Sequence, residues 1–201
     1  MAAEQQRPDV QAQRDEWAQW QATLTKADLD RLVFWDETWA VTIMTLLYGR
    51  APRGVRVVER VPAGHWQRLT VAAALGLSGV CGALVYEGGT TAEAAQAFVE
   101  AGLVGGLRPG DIVIMDNLSS HTDAAVIRAL TRQGVQVKLL PPYAPDLSPV
   151  EKAWAKVKQA LRQAKARTAE ALIDAVADAL RAITPEDIRG WFEHCGYHTD
   201  S

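Results

Sequence analysis

Cysteine is scarce in this chain, with two in 201 residues, Cys81 and Cys195, far apart and outside any C-x-x-C spacing. That excludes a small disulfide scaffold and reads as two free thiols in a reducing cytosol. An excess of either charge is missing too. Lys plus Arg is 21 against 24 Asp plus Glu, a net charge of −3. A polybasic coat is excluded, so any contact with nucleic acid must draw on basic side chains gathered locally. The first thirty residues carry Arg7, Arg14, Asp15, Glu16 and Lys26 with no apolar block, so they are not a signal peptide. There is no Walker loop, no G-x-G-x-x-G and no nucleophile elbow. Leu69 to Tyr86 is uncharged and long enough to span a membrane, but Gly76, Ser78, Gly79 and Gly82 interrupt it. It reads as a buried β-hairpin.

Apolar residues make up 48% and charged residues 22%, which supports one globular domain with short appendages. Residues 1–30 read as a helical or linker segment, with Trp17, Trp20 and Leu24 at helical spacing as a docking face. Strands are expected over 31–38, 66–75, 80–86, 111–115 and 135–140, with a further apolar run over 41–48. Thr90 and Glu93 suggest a capping box opening a helix to about Leu103. Helices are also expected over 120–133, from Ser148 to about Lys165, from Thr168, and after Thr184. Adjacent strands followed by alternating helices and strands imply a mixed sheet covered by helices, in the α/β class.

Three acids fall at junctions of this pattern. Asp36 is expected at the end of the first strand, Asp116 directly follows the apolar run DIVIM, and Glu151 lies in the first turn of the helix opened by Ser148. Open α/β sheets place their ligands at such strand ends and helix starts. Carboxylates suit the hard cations Mg²⁺ and Mn²⁺, and a pair of such ions can clamp both oxygens of a phosphodiester displacement. Each acid also has a plain structural explanation as a turn or cap, Glu151 through a capping box with Ser148. Glu37 adjoins Asp36 but faces the other side of an extended strand and ranks below it. Asp146, in the proline-fixed loop, is the substitute for Glu151. Six basic residues and no acid occupy 152–167, and Lys152, Lys156, Lys158, Arg162 and Lys165 form a candidate phosphate-contact stripe. Asn117 and His121 are auxiliary candidates, His121 for orienting water or touching phosphate.

WDET at 35–38, YGRAPRG at 48–54, DIVIMDNLSSH at 111–121 and LLPPYAPDLSPVEKAWAKVK at 139–158 resemble the catalytic domain of DDE transposases. The resemblance is to the bacterial insertion-sequence 630 group of the Tc/mariner superfamily, including the thirty-four residues between Asp116 and Glu151. It implies an RNase H-like (retroviral integrase-like) fold with a five-stranded mixed sheet, the catalytic domain occupying 31–201 with its C-terminal helices. It further implies metal-dependent cleavage and strand transfer at transposon ends. Asp36, Asp116 and Glu151 would be the catalytic and metal-binding triad for Mg²⁺ or Mn²⁺, with two ions. The implied partners are double-stranded DNA, both transposon ends and target, and a second copy in a homodimer, with no membrane. The expected place is the bacterial cytoplasm, at the nucleoid when acting. Family members carry helix-turn-helix domains ahead of the catalytic domain; about thirty residues precede Arg31 here, so a separately encoded DNA-binding half is expected. Two other readings stay open from sequence: a silent, transposase-derived DNA-binding or regulatory protein, and another RNase H-like nuclease.

Overall fold

The computed structural model describes residues 3–198. Five strands form one mixed sheet in the order β3-β2-β1-β4-β5. They are β1 (Leu32–Val41), β2 (Arg68–Gly76), β3 (Gly79–Glu87), β4 (Ile112–Met115) and β5 (Gln136–Leu139). The first three are antiparallel neighbours, whereas β1–β4 and β4–β5 are parallel. This is the mixed α/β sheet expected from the element order, in the five-stranded RNase H-like arrangement that the resemblance implies.

Side-chain alternation divides the core between two faces. Phe34, Val71, Ala73, Leu75 and Ile114 point to one face, where they meet Trp154, Val157, Leu161, Phe192 and Tyr197. Those partners come from α5 (Pro149–Ala164), α7 (Pro185–His194) and the chain after it; α6 (Ala169–Arg181) completes the layer. Val33, Trp35, Ala72, Ala74, Val113 and Met115 point to the other face. There they meet Phe98, Leu103 and Leu130, from the helical stretch that starts with α3 (Ala92–Ala97) and from α4 (Ala124–Thr131). With layers on both sides, β2 is buried from Leu69 to Gly76, and its alanine run keeps the layers close. Helix α3 continues as a π-helical turn, Phe98–Leu103, pressed onto β3. A Cβ on Gly82 would lie 1.9 Å from the Gly102 carbonyl oxygen, so only glycine fits that crossing.

Several local expectations are corrected. The first strand does not end at Thr38 but runs on to Val41, which places Asp36 in mid-strand, because pairing with β2 continues to Val41↔Arg68 after pairing with β4 stops at Phe34. The cap of α3 is Thr91, which accepts from Ala94 N, and not Thr90. Helix α4 starts at Ala124, capped by Asp123, because residues 117–122 form a turn. The apolar run over 41–48 does not join the core beyond Met44: Leu47 and Tyr48 are 66% and 89% exposed. Together with Val55, Val58, Val61 and Trp66 they lie in an irregular connection between β1 and β2. Thr42 and Gln67 close its neck by hydrogen bonds from Thr42 N to Gln67 O and from Gln67 N to Thr42 Oγ1.

The N-terminal helix α1 (Pro8–Thr23), followed by the single turn α2 (Lys26–Leu29), is docked onto the body. Trp17 is buried and donates its indole N–H to Tyr197 Oη, and Gln21 donates to the Cys195 carbonyl. Lys138 of β5 places its ammonium over the Trp17 and Trp20 rings, at 5.0 and 4.4 Å from their centroids. Both cysteines are free. Among the described residues, no helix is long and apolar enough to cross a membrane.

Candidate active site

Asp36, Asp116 and Glu151 line one cavity of about 590 Å³ together with Trp35, Asn117, Leu140 and the loop 141–145. Three different elements deliver them. Asp36 comes from mid-β1, at the point where β4 has stopped pairing, so its side chain leaves the sheet beside an open strand end. Asp116 follows the last residue of β4. Glu151 is the third residue of α5. The capping-box explanation for Glu151 does not hold, because Ser148 makes no side-chain cap hydrogen bond. Pro141, Pro142 and Pro145 stiffen the wall between β5 and α5. Asn117 donates its side-chain N–H to the Leu140 carbonyl and so ties the ends of β4 and β5.

The three carboxyl groups are held in different electrostatic states. Asp36 is pushed up to about 7, by burial first and then by the charge of Glu151. One of its oxygens accepts the Trp154 indole N–H at 2.9 Å, a contact that sequence alone did not reveal. Glu151 is also raised, by desolvation first, with Asp116 adding to it against the opposing charge of Lys158. Asp116 is lowered: burial works against ionisation, but hydrogen bonds from His121 and from Leu118 N outweigh it. Both of those bonds fall on Asp116 Oδ1.

His121, expected to orient water or touch phosphate, and Glu37, ranked below Asp36, are instead bonded to each other behind the site. Glu37 does face away from Asp36, but it is not remote from the site. His121 is fully buried and bridges Asp116 to Glu37, with Nδ1 2.7 Å from Asp116 Oδ1 and Nε2 2.8 Å from Glu37 Oε2. Burial pulls its pKa down, yet the bonds to Asp116 and Glu37 prevail and raise it to about 9. Trp35 donates its indole N–H to Glu37 Oε1 at 3.0 Å and packs its ring against the imidazole. His121 is therefore a buried bridge beneath Asp116 and is absent from the cavity wall.

The basic residues separate into two groups. Lys156 is ion-paired with Asp187, and Lys165 with Glu59. Lys165 lies past the last turn of α5, in a left-handed conformation, so it does not continue the helical face of Lys158 and Arg162. Lys158 sits 4.6 Å from the centroid of the Trp39 ring, and burial and Arg162 hold its pKa below the usual lysine range. Lys152 is half-buried. Asp146 is engaged elsewhere: it accepts two hydrogen bonds from the Arg14 guanidinium, at 2.5 and 3.1 Å, which lower its pKa.

A family model described as DDE superfamily endonuclease matches residues 31–173. The chain belongs to this family. Its fold is that of the Mos1 transposase catalytic domain, to which a solved structure with Raltegravir and Mg gives 17% identity and a TM-score of 0.67 over 100% of this chain and 94% of that one. The Mos1 paired-end complex with left transposon end matches at 19% identity and TM-score 0.74, covering 98% of this chain and 60% of that one. The Mos1 strand transfer complex matches at 18% identity and TM-score 0.72, with the same coverage. The chain thus spans about three fifths of the Mos1 chains in those two complexes. No curated protein matches it.

The donor set suits a hard divalent cation. All three candidates are carboxylates, and neither Asp116 Oδ2 nor the Glu151 carboxylate has a hydrogen-bond partner among the described residues. Burial first, and neighbouring carboxylates second, disfavour the charged forms of Asp36 and Glu151, a penalty that a bound cation would offset. Among the described residues, however, no three His, Cys, Asp or Glu side chains already stand close enough to hold a metal ion. The acids share a cavity without forming a closed ligand set.

Proposed function

We propose that this chain is the catalytic domain of a transposase of the insertion-sequence 630 group, cutting DNA at transposon ends and joining the freed end to target DNA. The observation that carries the reading is the shared cavity of Asp36, Asp116 and Glu151 in a chain of the DDE endonuclease family. The catalytic unit is residues 31–201, and the segment 1–30 is a helical appendage to it. Asp36, Asp116 and Glu151 would hold Mg²⁺ or Mn²⁺, two ions in the working complex. When bound, these ions supply Lewis acidity to water and to phosphate oxygens.

The protein's own part is positioning and charge. Asp116 is ionised at neutral pH, whereas Asp36 is pushed up to about 7 and Glu151 is raised, in both cases by burial first, so a bound cation would favour their anionic forms. The proline-stiffened wall fixes Glu151 relative to the ends of β4 and β5. Lys158 and Arg162, on the helix that carries Glu151, would take backbone phosphates beside the cavity. Lys152 extends that surface, whereas Lys156 and Lys165 must first give up their acidic partners. The reaction is hydrolysis of one phosphodiester, releasing a 3′-hydroxyl. That hydroxyl then attacks a target phosphodiester, forming a new P–O bond as the target's P–O3′ bond breaks.

The partners are double-stranded DNA and a second copy of the chain. The exposed apolar side chains between β1 and β2 support a protein partner, since so many large apolar groups in one segment favour an interface. The place of action is the cytoplasm, at the nucleoid. The test is nicking and joining of a labelled terminal inverted repeat with Mg²⁺. Strand-transfer products that disappear in Asp116→Ala support the reading. Cleavage confined to RNA–DNA hybrids, or cleavage undiminished in Asp116→Ala, overturns it.

A further inference from the structure

Two consecutive residues of β1 carry carboxylates to opposite faces of the sheet, and both reach the same site. Asp36 lines the cavity directly. Glu37 reaches it from behind, through His121. Carboxylates only accept hydrogen bonds, so an imidazole held between two of them must donate from both ring nitrogens. His121 therefore bonds Asp116 Oδ1 through Nδ1–H and Glu37 through Nε2–H, at 2.7 and 2.8 Å. The bridge is rigid. The ring is fully buried, packed against Trp35 at 4.5 Å between centroids, and its backbone N–H closes a turn onto the Leu118 carbonyl. The Trp35 indole in turn fixes Glu37.

A buried ion pair adds little net stability over an apolar pair of the same shape. The direction of this one is more telling. Its outer end grips one oxygen of a carboxylate whose side chain is 54% exposed and leaves the other oxygen without a partner. That is the arrangement a ligating carboxylate needs, since a partner behind the ligand fixes its orientation. Asp36 is steadied by Trp154 instead, and Glu151 has no such partner.

We propose that Glu37 and His121 are positioning residues that lock the Asp116 carboxylate, through Oδ1, in the orientation in which Oδ2 ligates a divalent cation. The proposal rests on the triad reading above and adds to it a second carboxylate from WDET, acting through the histidine of DNLSSH rather than on the metal.

The test is Mn²⁺ binding to the chain, followed by electron paramagnetic resonance, with the thermal midpoint measured without metal. The double variant Glu37→Leu/His121→Phe replaces the bridge by apolar side chains and is expected to fold. Its Mn²⁺ binding is expected to weaken by about 10–100-fold, the usual cost of losing a partner behind a ligand. Glu37→Gln keeps the shape and one acceptor for His121 and is expected to recover most of that loss. Should the double variant not fold, Glu37→Gln alone carries the test, with a severalfold weakening expected. Wild-type Mn²⁺ affinity in a folded double variant, or in Glu37→Gln tested alone, overturns the proposal. If the wild-type chain itself binds no Mn²⁺, the triad reading falls and takes this one with it. If the wild type binds and the variants match it, only this one falls.

Discussion

The two faces of the sheet meet at one site and treat acidic side chains in opposite ways. On the α5 face, Asp36 and Glu151 stand near each other with raised pKa values and one neighbouring lysine. On the α4 side, Glu37 and Asp116 share an imidazolium. The first arrangement disfavours the charged forms, by burial above all, and the second favours that of Asp116 through the shared imidazole. On the proposed reading a cation would act on the first face, whereas the second supplies a fixed frame. Adjacent residues of one strand, Asp36 and Glu37, fall on either side of this division.

The largest effect expected is loss of the acids themselves. Asp36→Ala, Asp116→Ala and Glu151→Ala should each abolish Mg²⁺-dependent nicking of an inverted-repeat substrate, with circular dichroism unchanged. Substantial nicking by any of them breaks the comparison, because that acid would then have a structural role only. Next is Trp154→Phe. It keeps most of the packing but removes the hydrogen bond to Asp36, and bonds to charged groups contribute about 1.5–3 kcal/mol. Metal affinity should fall by about tenfold or more, since 1.4 kcal/mol is a factor of ten.

The faces should also separate by pH. Asp36 binds its proton up to about 7 in the folded chain, whereas an unfolded Asp releases it near 4. The folded state thus holds the extra proton, and metal-free stability should fall as pH rises from about 4 to 7, by a few kcal/mol at most. His121 is raised to about 9, so its contribution is complete below about 6.5 and is lost as pH climbs through 9. Urea midpoints against pH should lose the lower slope in Asp36→Asn and the upper slope in Glu37→Leu/His121→Phe. Loss of both slopes in either variant would merge the two faces into one titrating unit.

Smaller effects lie on the surface. Lys158→Glu and Arg162→Glu should each reduce the salt slope of DNA binding by about one unit, as expected for a lost phosphate contact. Lys156→Glu should do less, because that lysine already faces Asp187. Arg14→Ala breaks an exposed pair with Asp146 and should lower stability by less than about 1 kcal/mol.

Much of this was legible in the sequence, and the reason differs by element. The hairpin at Gly76–Gly79, the buried run DIVIM and the opening of α5 at Ser148-Pro149 carry local signals that tertiary packing preserved. The extent of β1 was not legible, because it depends on β2, 27 residues further on from Val41, continuing to pair with it. Alternation put Glu37 on the far face correctly, yet that face is not far from the site. On that side β1 has no β4 partner past Phe34, and the 117–122 turn brings His121 underneath. No local pattern announces a contact 84 residues apart. Trp154 lies in the core, but which polar atom its indole N–H finds depends on the crossing of α5 over β1.

The central claim is that Asp36, Asp116 and Glu151 act together as one divalent-cation site. Calorimetric titration of Mn²⁺ into the wild-type chain and into Asp36→Ala/Asp116→Ala/Glu151→Ala tests it most directly. Saturable binding to the wild type and none to the triple variant is expected; equal binding by both, or none by either, rules out a shared site.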